Sequence, residues 1–168
     1  MYKFLMIPIA LIGFTINATG QSSANATASA SIVAPIAIVQ VANMNFGNVA
    51  VTDVAGTVIL ATDGSRSITG GVTLPATSGT VSAAEFTVTG EAGYTYDITV
   101  PSSHTITKVA GAETMTVDAF VSDPTELAGV LTGGTQTLLI GATLNVAALQ
   151  VAGTYTNAIG FEVTVNYN

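Results

Sequence analysis

The 168-residue sequence has no cysteine, no tryptophan, one histidine, and only three Lys+Arg against ten Asp+Glu. Charged residues make up 8 %, where an ordinary soluble domain carries about 25 %. Each shortage excludes something. Without cysteine there is no disulfide framework, no thiolate metal site and no cysteine nucleophile. Beyond residue 3 the only cations are Arg66 and Lys108, so there is no basic surface for nucleic acid or an anionic membrane. A single histidine does not suffice for a histidine-based zinc site or a proton relay. The apolar fraction of 49 % is too high for a disordered chain. Composition points to a small exported structural or binding protein and away from an enzyme.

Residues 1–20 have the pattern of a secretory signal peptide. Lys3 supplies the positive start, and Phe4 to Ile16 form an apolar stretch broken only by Pro8, Gly13 and Thr15. Ala18, Thr19 and Gly20 give small residues at a cleavage site before Gln21. The rival reading is an uncleaved anchor, for which the apolar run is short. No cysteine stands at the junction, which excludes a lipoprotein anchor. The length of residues 21–168 fits one domain, and no later stretch is long and apolar enough for a transmembrane helix.

Strand chemistry dominates the rest. Thr and Val recur throughout, and both are β-branched residues suited to a pleated surface. Breaks fall at Asp63-Gly64, Gly70-Gly71, Gly90, Gly93, Gly111, Gly129, Gly133-Gly134 and Gly153, with Pro75, Pro101 and Pro124 at strand ends. These signals predict strands near 23–33, 36–42, 44–51, 56–62, 67–74, 84–90, 94–100, 104–109, 114–121, 135–147 and 154–167. Only Thr125–Leu131 and Val146–Val151 have the spacing for a short helical turn. The Gly70-Gly71 pair reads as a β-bulge or tight bend. Many short strands with regular turn signals indicate an all-β sandwich or barrel.

Two segments carry the strongest alternation. In the first, Ala24, Ala26, Ala28, Ala30 and Ile32 alternate with Ser, Asn and Thr directly behind the leader, which describes an extended strand with one apolar face. Its anchors are mostly Ala, so it buries little area. It is either the first edge strand of the domain or an arm that pairs elsewhere. In the second, Tyr155, Ile159, Phe161, Val163, Val165 and Tyr167 line one face of the C-terminal segment, with polar or small residues between them. Large side chains on one face place this strand on the core, and removing the last six residues is expected to unfold the domain.

Catalytic and ligand-binding patterns are weak. Ser102, Ser103 and His104 are sequence neighbours, which does not make a nucleophile–base pair, and no Gly-x-Ser-x-Gly elbow occurs. His104 reads as a satisfied or solvated loop histidine. The carboxylates are scattered singly, as on a solvated face. Asp53, Asp63, Asp118, Asp123 and Glu126 lack the spacing of a calcium loop, and Gly70-Gly71 lacks the Gly-Lys-Ser/Thr of a phosphate loop. Tyr94 and Tyr96 share one face and read as core rather than as a sugar-stacking pair. No catalytic, cofactor-binding or metal-binding residues are assigned.

The two ends, with Met44-Asn45-Phe46-Gly47-Asn48-Val49 between them and Gly153-Thr154-Tyr155-Thr156-Asn157 opening the last strand, carry a family resemblance. The chain resembles the subunits of chaperone–usher pili, especially the archaic, spore-coat-U-like branch, and a related uncharacterised family of secreted bacterial β-domains. Asn157 stands where aspartate is usual in those pilins, and Pro35 lies where many of them carry a disulfide near the first strand. The resemblance implies an immunoglobulin-like, pilin-type sandwich at residues 35–168, preceded by an N-terminal extension at 21–34. It implies that Ala24, Ala26, Ala28, Ala30 and Ile32 are the anchors of a donor strand, with Ile32 the one deep plug. Tyr155, Ile159, Phe161, Val163, Val165 and Tyr167 would then help wall an acceptor groove. The implied partners are copies of itself or related pilins, a periplasmic chaperone and an outer-membrane usher. The implied location is the periplasm in transit, then a cell-surface filament of a Gram-negative bacterium, with a role in adhesion.

Two alternatives stay open at this level. A small outer-membrane β-barrel has a similar alternating signature, although 7 % aromatics without tryptophan supply its girdles thinly. A monomeric secreted sandwich that binds a glycan is the other.

Overall fold

The computed structural model describes residues 20–168, so the leader assigned to residues 1–20 lies, up to residue 19, outside the described residues. Residues 20–32 form a unit of their own. They contain no strand, and every one of them is exposed, Ile32 by 99 %. The strand expected at 23–33 is therefore not formed. An extended backbone needs a neighbour for its N–H and C=O groups, and a face of Ala anchors is too small to recruit one by burial alone.

The second unit, Val33–Asn168, contains eleven strands: β1 (Ala37–Ala42), β2 (Ala50–Leu60), β3 (Arg66–Thr73), β4 (Ala84–Thr89), β5 (Thr95–Thr99), β6 (Ser103–Lys108), β7 (Thr114–Asp123), β8 (Gly129–Val130), β9 (Thr135–Val146), β10 (Tyr155–Thr156) and β11 (Thr164–Tyr167). A single 3-10 turn, Thr132–Gly134, is the only helical element among the described residues. The fold is an all-β sandwich. Eight strands form an antiparallel main sheet in the order β1-β4-β9-β7-β6-β10, with β2 and β3 branching from β9. The second sheet has the order β11-β5-β8. The main sheet does not close on itself among the described residues, since β1 and β10 each have one paired edge.

Strand β9 organises the main sheet. Leu138, Ile140, Ala142, Leu144 and Val146 are buried on its inner face, while Thr137, Leu139, Thr143 and Asn145 alternate on the outer face. This is the period-2 pattern of a strand packed on one side. One edge of β9 pairs with β7 along most of its length, from Asp123↔Leu139 to Thr116↔Asn145. The other edge changes partner: β4 pairs up to Ala84↔Ile140, and β2 takes over at Leu60↔Ala142. Gly141 stands at the changeover, where an added Cβ would lie 2.4 Å from the Leu60 carbonyl oxygen. Only glycine lets the two backbones come that close.

Three differences from the sequence expectation have local causes. Of the strand expected at 44–51 only residues 50 and 51 are strand, and they join the strand expected at 56–62 in one strand, β2, with an irregularity between Val51 and Gly56 opposite Gly70 and Gly71. The glycine pair thus faces a bulge, as its sequence suggests: an added Cβ on Gly71 would lie 2.2 Å from the Val54 carbonyl oxygen. The strand expected at 154–167 is divided. Tyr155–Thr156 pairs with β6 in one sheet and Thr164–Tyr167 with β5 in the other, so residues 157–163 cross between sheets without a ladder. A turn starts the crossing, with the Ile159 N–H donating to Asn157 Oδ1 at 2.9 Å and Gly160 at φ +72°. That turn rotates Ile159 outward, and it is 95 % exposed where burial was expected. Finally, Thr125–Leu131 forms turns and the short β8 in place of a helical turn.

Among the described residues, the core holds no buried polar or charged residue. Tyr96 is fully buried under Gly129, whose added Cβ would lie 2.6 Å from the ring, and its hydroxyl donates to Gln136 Oε1 at 2.8 Å. Burial pushes the Tyr96 phenol up from its ordinary pKa. Tyr94, expected to be buried with it, is 44 % exposed and sets its ring edge-on to Tyr167, 5.6 Å away.

Candidate functional site

A groove runs along the inner face of the main sheet toward the end where β9 terminates, its floor side chains Val117, Leu144 and Val146 themselves largely buried. The register places a row of side chains there: His104 on β6 faces Val117 on β7, and Leu144 on β9 faces Val58 on β2. One step further along, Ile106 faces Met115, and Val146 faces Gly56. With Ala84 and Phe86 of β4, the side chains of His104, Ile106, Met115, Val117, Leu144 and Val146 floor a groove of about 1190 Å³.

The first rim is the Met44-Asn45-Phe46-Gly47-Asn48-Val49 segment and its flanks. It is not a strand, yet it is firmly tied. Asn45 and Ser82 exchange backbone hydrogen bonds at 2.8 and 3.0 Å, and the Asn48 N–H donates to the Ser78 carbonyl at 2.7 Å. The Asn45 side chain accepts from the Gly47 N–H at 2.8 Å. Gly47 has φ +67°, and an added Cβ would lie 2.3 Å from the Ser78 carbonyl oxygen. Arg66 is one of two cations beyond residue 3, and its Nη1 donates to the carbonyls of Phe46 (2.5 Å) and Asn48 (3.1 Å). Its charge is spent on holding this rim to β3.

The second rim is residues 150–161. Gln150 Nε2 donates to the Thr114 carbonyl at 3.3 Å and to the Tyr155 hydroxyl at 2.9 Å, and that hydroxyl donates to the Val151 carbonyl at 2.6 Å. Asn157 Nδ2 donates to the Thr105 carbonyl at 3.0 Å, which holds the start of the crossing against β6. Phe161 packs its ring 5.0 Å from Phe120 and 6.1 Å from His104. The lone histidine is therefore a floor aromatic of the groove on β6 and not a loop residue.

Among the described residues, no Asp, Glu, Lys or Arg lines the groove. An uncharged apolar floor beside an unladdered main chain at 157–161 suits a ligand that brings small apolar side chains and its own backbone hydrogen bonds. Of the six residues singled out in the C-terminal segment, Tyr155, Ile159 and Phe161 line this groove. Val163, Val165 and Tyr167 do not. Val165 is buried in the core, and Tyr167 lies beside Gly90 and Glu91. The floor residues Ile106, Met115, Leu144 and Val146 were visible in the sequence only as ordinary strand alternation. Their place in the groove follows from the register, which a single sequence does not display.

Other chemistry is sparse. Among the described residues, no three His, Cys, Asp or Glu side chains are placed to hold a metal ion. The Ser65 hydroxyl and then the Ser65 N–H, which donates to Oδ1 at 2.8 Å, hold the Asp63 carboxyl below its ordinary pKa in the β2–β3 turn.

No curated protein and no solved structure matches the chain. A family model does match, over residues 36–167, from the residue before β1 to the last residue of β11. The chain therefore belongs to the family described as a domain of unknown function, DUF4402.

Proposed function

We propose that this protein is an exported structural subunit that polymerises at the cell surface, its groove receiving the N-terminal arm of another copy as an added strand. The observation that carries this reading is the groove itself: an uncharged, apolar-floored channel bordered at 157–161 by main chain with no ladder partner. An unpaired edge beside exposed apolar surface is an aggregation hazard that a guest strand removes. The arm has the matching chemistry. Residues 21–36 contain no charged side chain, Ala24 to Ile32 alternate, and the arm belongs to no ladder. A heterologous contact of this kind does not close, so repetition makes a filament.

The test is electrophoresis of envelope material with and without boiling. A ladder of multimers that collapses to one band on boiling supports the reading. The full chain carrying Ile32→Asp should be exported normally and run only as monomer. A ladder undiminished by Ile32→Asp refutes the donor assignment, and a monomer from the unaltered chain under both conditions refutes polymerisation.

A further inference from the structure

The point where the arm leaves the domain is fixed. The Ala34 N–H donates to Glu91 Oε2 at 3.0 Å, and the Ala34 carbonyl accepts from the Tyr167 hydroxyl at 2.8 Å. This root lies at one end of the main sheet, because Ala37 faces Thr89, and Thr89 faces Thr135 at the start of β9. The floor of the groove runs from Phe86, opposite Leu138, to Leu144 and Val146 toward the other end of β9. From Thr135 to Leu144 is roughly 30 Å along the strand, at about 3.3 Å per residue. The arm thus leaves near one end of the groove, and the groove runs from there to the opposite pole of the sheet.

The groove pole carries exposed apolar side chains on three separate segments. They are Val54 in the β2 bulge, Val109 after β6, and Leu149 and Val151 after β9. These segments are tied together, with the Leu149 N–H donating to the Thr52 carbonyl at 2.9 Å and the Val109 N–H to the Thr154 carbonyl at 2.8 Å. At the root pole, Tyr94 is exposed against Tyr167, and Val130 is exposed opposite Thr95 on β5.

Only Val33 separates Ile32, the largest anchor of the arm, from the pinned Ala34. Two residue steps span at most about 7 Å. A copy whose Ile32 is seated in a groove is therefore held with its body against the mouth of that groove. We infer that the apolar crown of Val54, Val109, Leu149 and Val151 is a body-to-body docking face, and that its partner is the root pole of a second copy around Tyr94 and Val130. This rests on the strand-donation reading above and adds a second, rigid contact to the flexible one. Such a contact fixes the angle between successive copies, which an arm alone would leave free.

The absence of native cysteine makes the test clean. The full chain carrying both Leu149→Cys and Val130→Cys should give, after mild oxidation, multimers that survive boiling and collapse with reductant. A second pair, Val151→Cys with Tyr94→Cys, guards against one unfavourable geometry. Val109→Asp with Leu149→Asp should reduce long multimers about tenfold or more, as expected for burying charge in place of two apolar side chains. A peptide of residues 21–36 added to the full chain carrying Ile32→Asp reads the groove by itself. Peptide binding and boil-sensitive multimers, with neither cysteine pair cross-linking and no effect of the Asp pair, overturn the docking face alone. Failure of the peptide to bind overturns the strand-donation reading and the docking face with it.

Discussion

The hydroxyl of Tyr167 donates a hydrogen bond to the carbonyl of Ala34 across 133 residues of chain, and the same oxygen accepts from the Glu91 N–H at 2.6 Å. One side chain thus ties the two ends of the domain and the turn after β4 to a single point. Gly90 makes room for it, since an added Cβ there would lie 2.2 Å from the Tyr167 oxygen. Tyr167→Phe keeps the ring on Tyr94 and strips both hydrogen bonds. Leaving a carbonyl and an N–H without their partner should cost about 1–3 kcal/mol, measurable as a lower urea midpoint with an unchanged slope.

Removing residues 163–168 deletes β11, including buried Val165 and the Tyr167 tie, and exposes one edge of β5. The shortened chain is expected to lose its cooperative thermal transition and become protease-sensitive throughout. A retained transition would show that the second sheet is dispensable.

Tyr96 makes stability depend on alkaline pH. Its phenol titrates at a higher pH in the folded state than in the unfolded chain, because burial disfavours the phenolate. The unfolded state loses its proton first, so the contribution is complete below about pH 10 and declines as pH rises toward the folded-state value. Urea midpoints for the wild-type chain should therefore fall between pH 9 and pH 11 (roughly one unit either side of the free phenol). In Tyr96→Phe that decline should be smaller.

Gly141→Val should be among the most damaging single changes. Its Cβ would meet backbone at Leu60, which cannot swing away as a side chain can. A loss of roughly 2–3 kcal/mol is expected from overpacking at a site with no give. The thermal midpoint checks it.

Arg66→Met removes the donors that hold Phe46 and Asn48 while keeping an apolar stem of similar length. Loss of a charge-assisted hydrogen bond is worth about 1.5–3 kcal/mol. Hydrogen exchange should accelerate at Asn45, Gly47 and Asn48 before it changes in β9. Uniform acceleration across the domain would mean that Arg66 supports the core and not the rim.

Much of this architecture is written in local patterns. Alternation located β4, β6, β7 and β9 to within a residue or two, because a strand buried on one face must alternate wherever it pairs. Glycines were legible where they marked turns. What one sequence does not carry is partnership. Residues 155–167 alternate almost as one strand, yet the two ends of that run pair in different sheets, and Ile159 is turned out between them. Residues 23–33 alternate as clearly and pair with nothing in their own domain. The Met44 to Val49 segment reads as a strand and is instead a loop, because Gly47 takes a left-handed conformation and Arg66 reaches its carbonyls from β3. The groove could not be drawn from the sequence for the same reason: its floor is a set of rows across strands.

The placement of Ala34 and Leu144 at opposite ends of β9 also has a mechanical consequence. Tension applied between those two points runs nearly parallel to the strands. The load reaches β9 through the six register pairs that join it to β4 and is shared onward with β7. Hydrogen bonds loaded side by side must fail together, whereas those at the end of a peeled hairpin fail one at a time. The domain is therefore built to bear a lengthwise pull in shear, and a sideways pull on β1 or β10 should part it at much lower force.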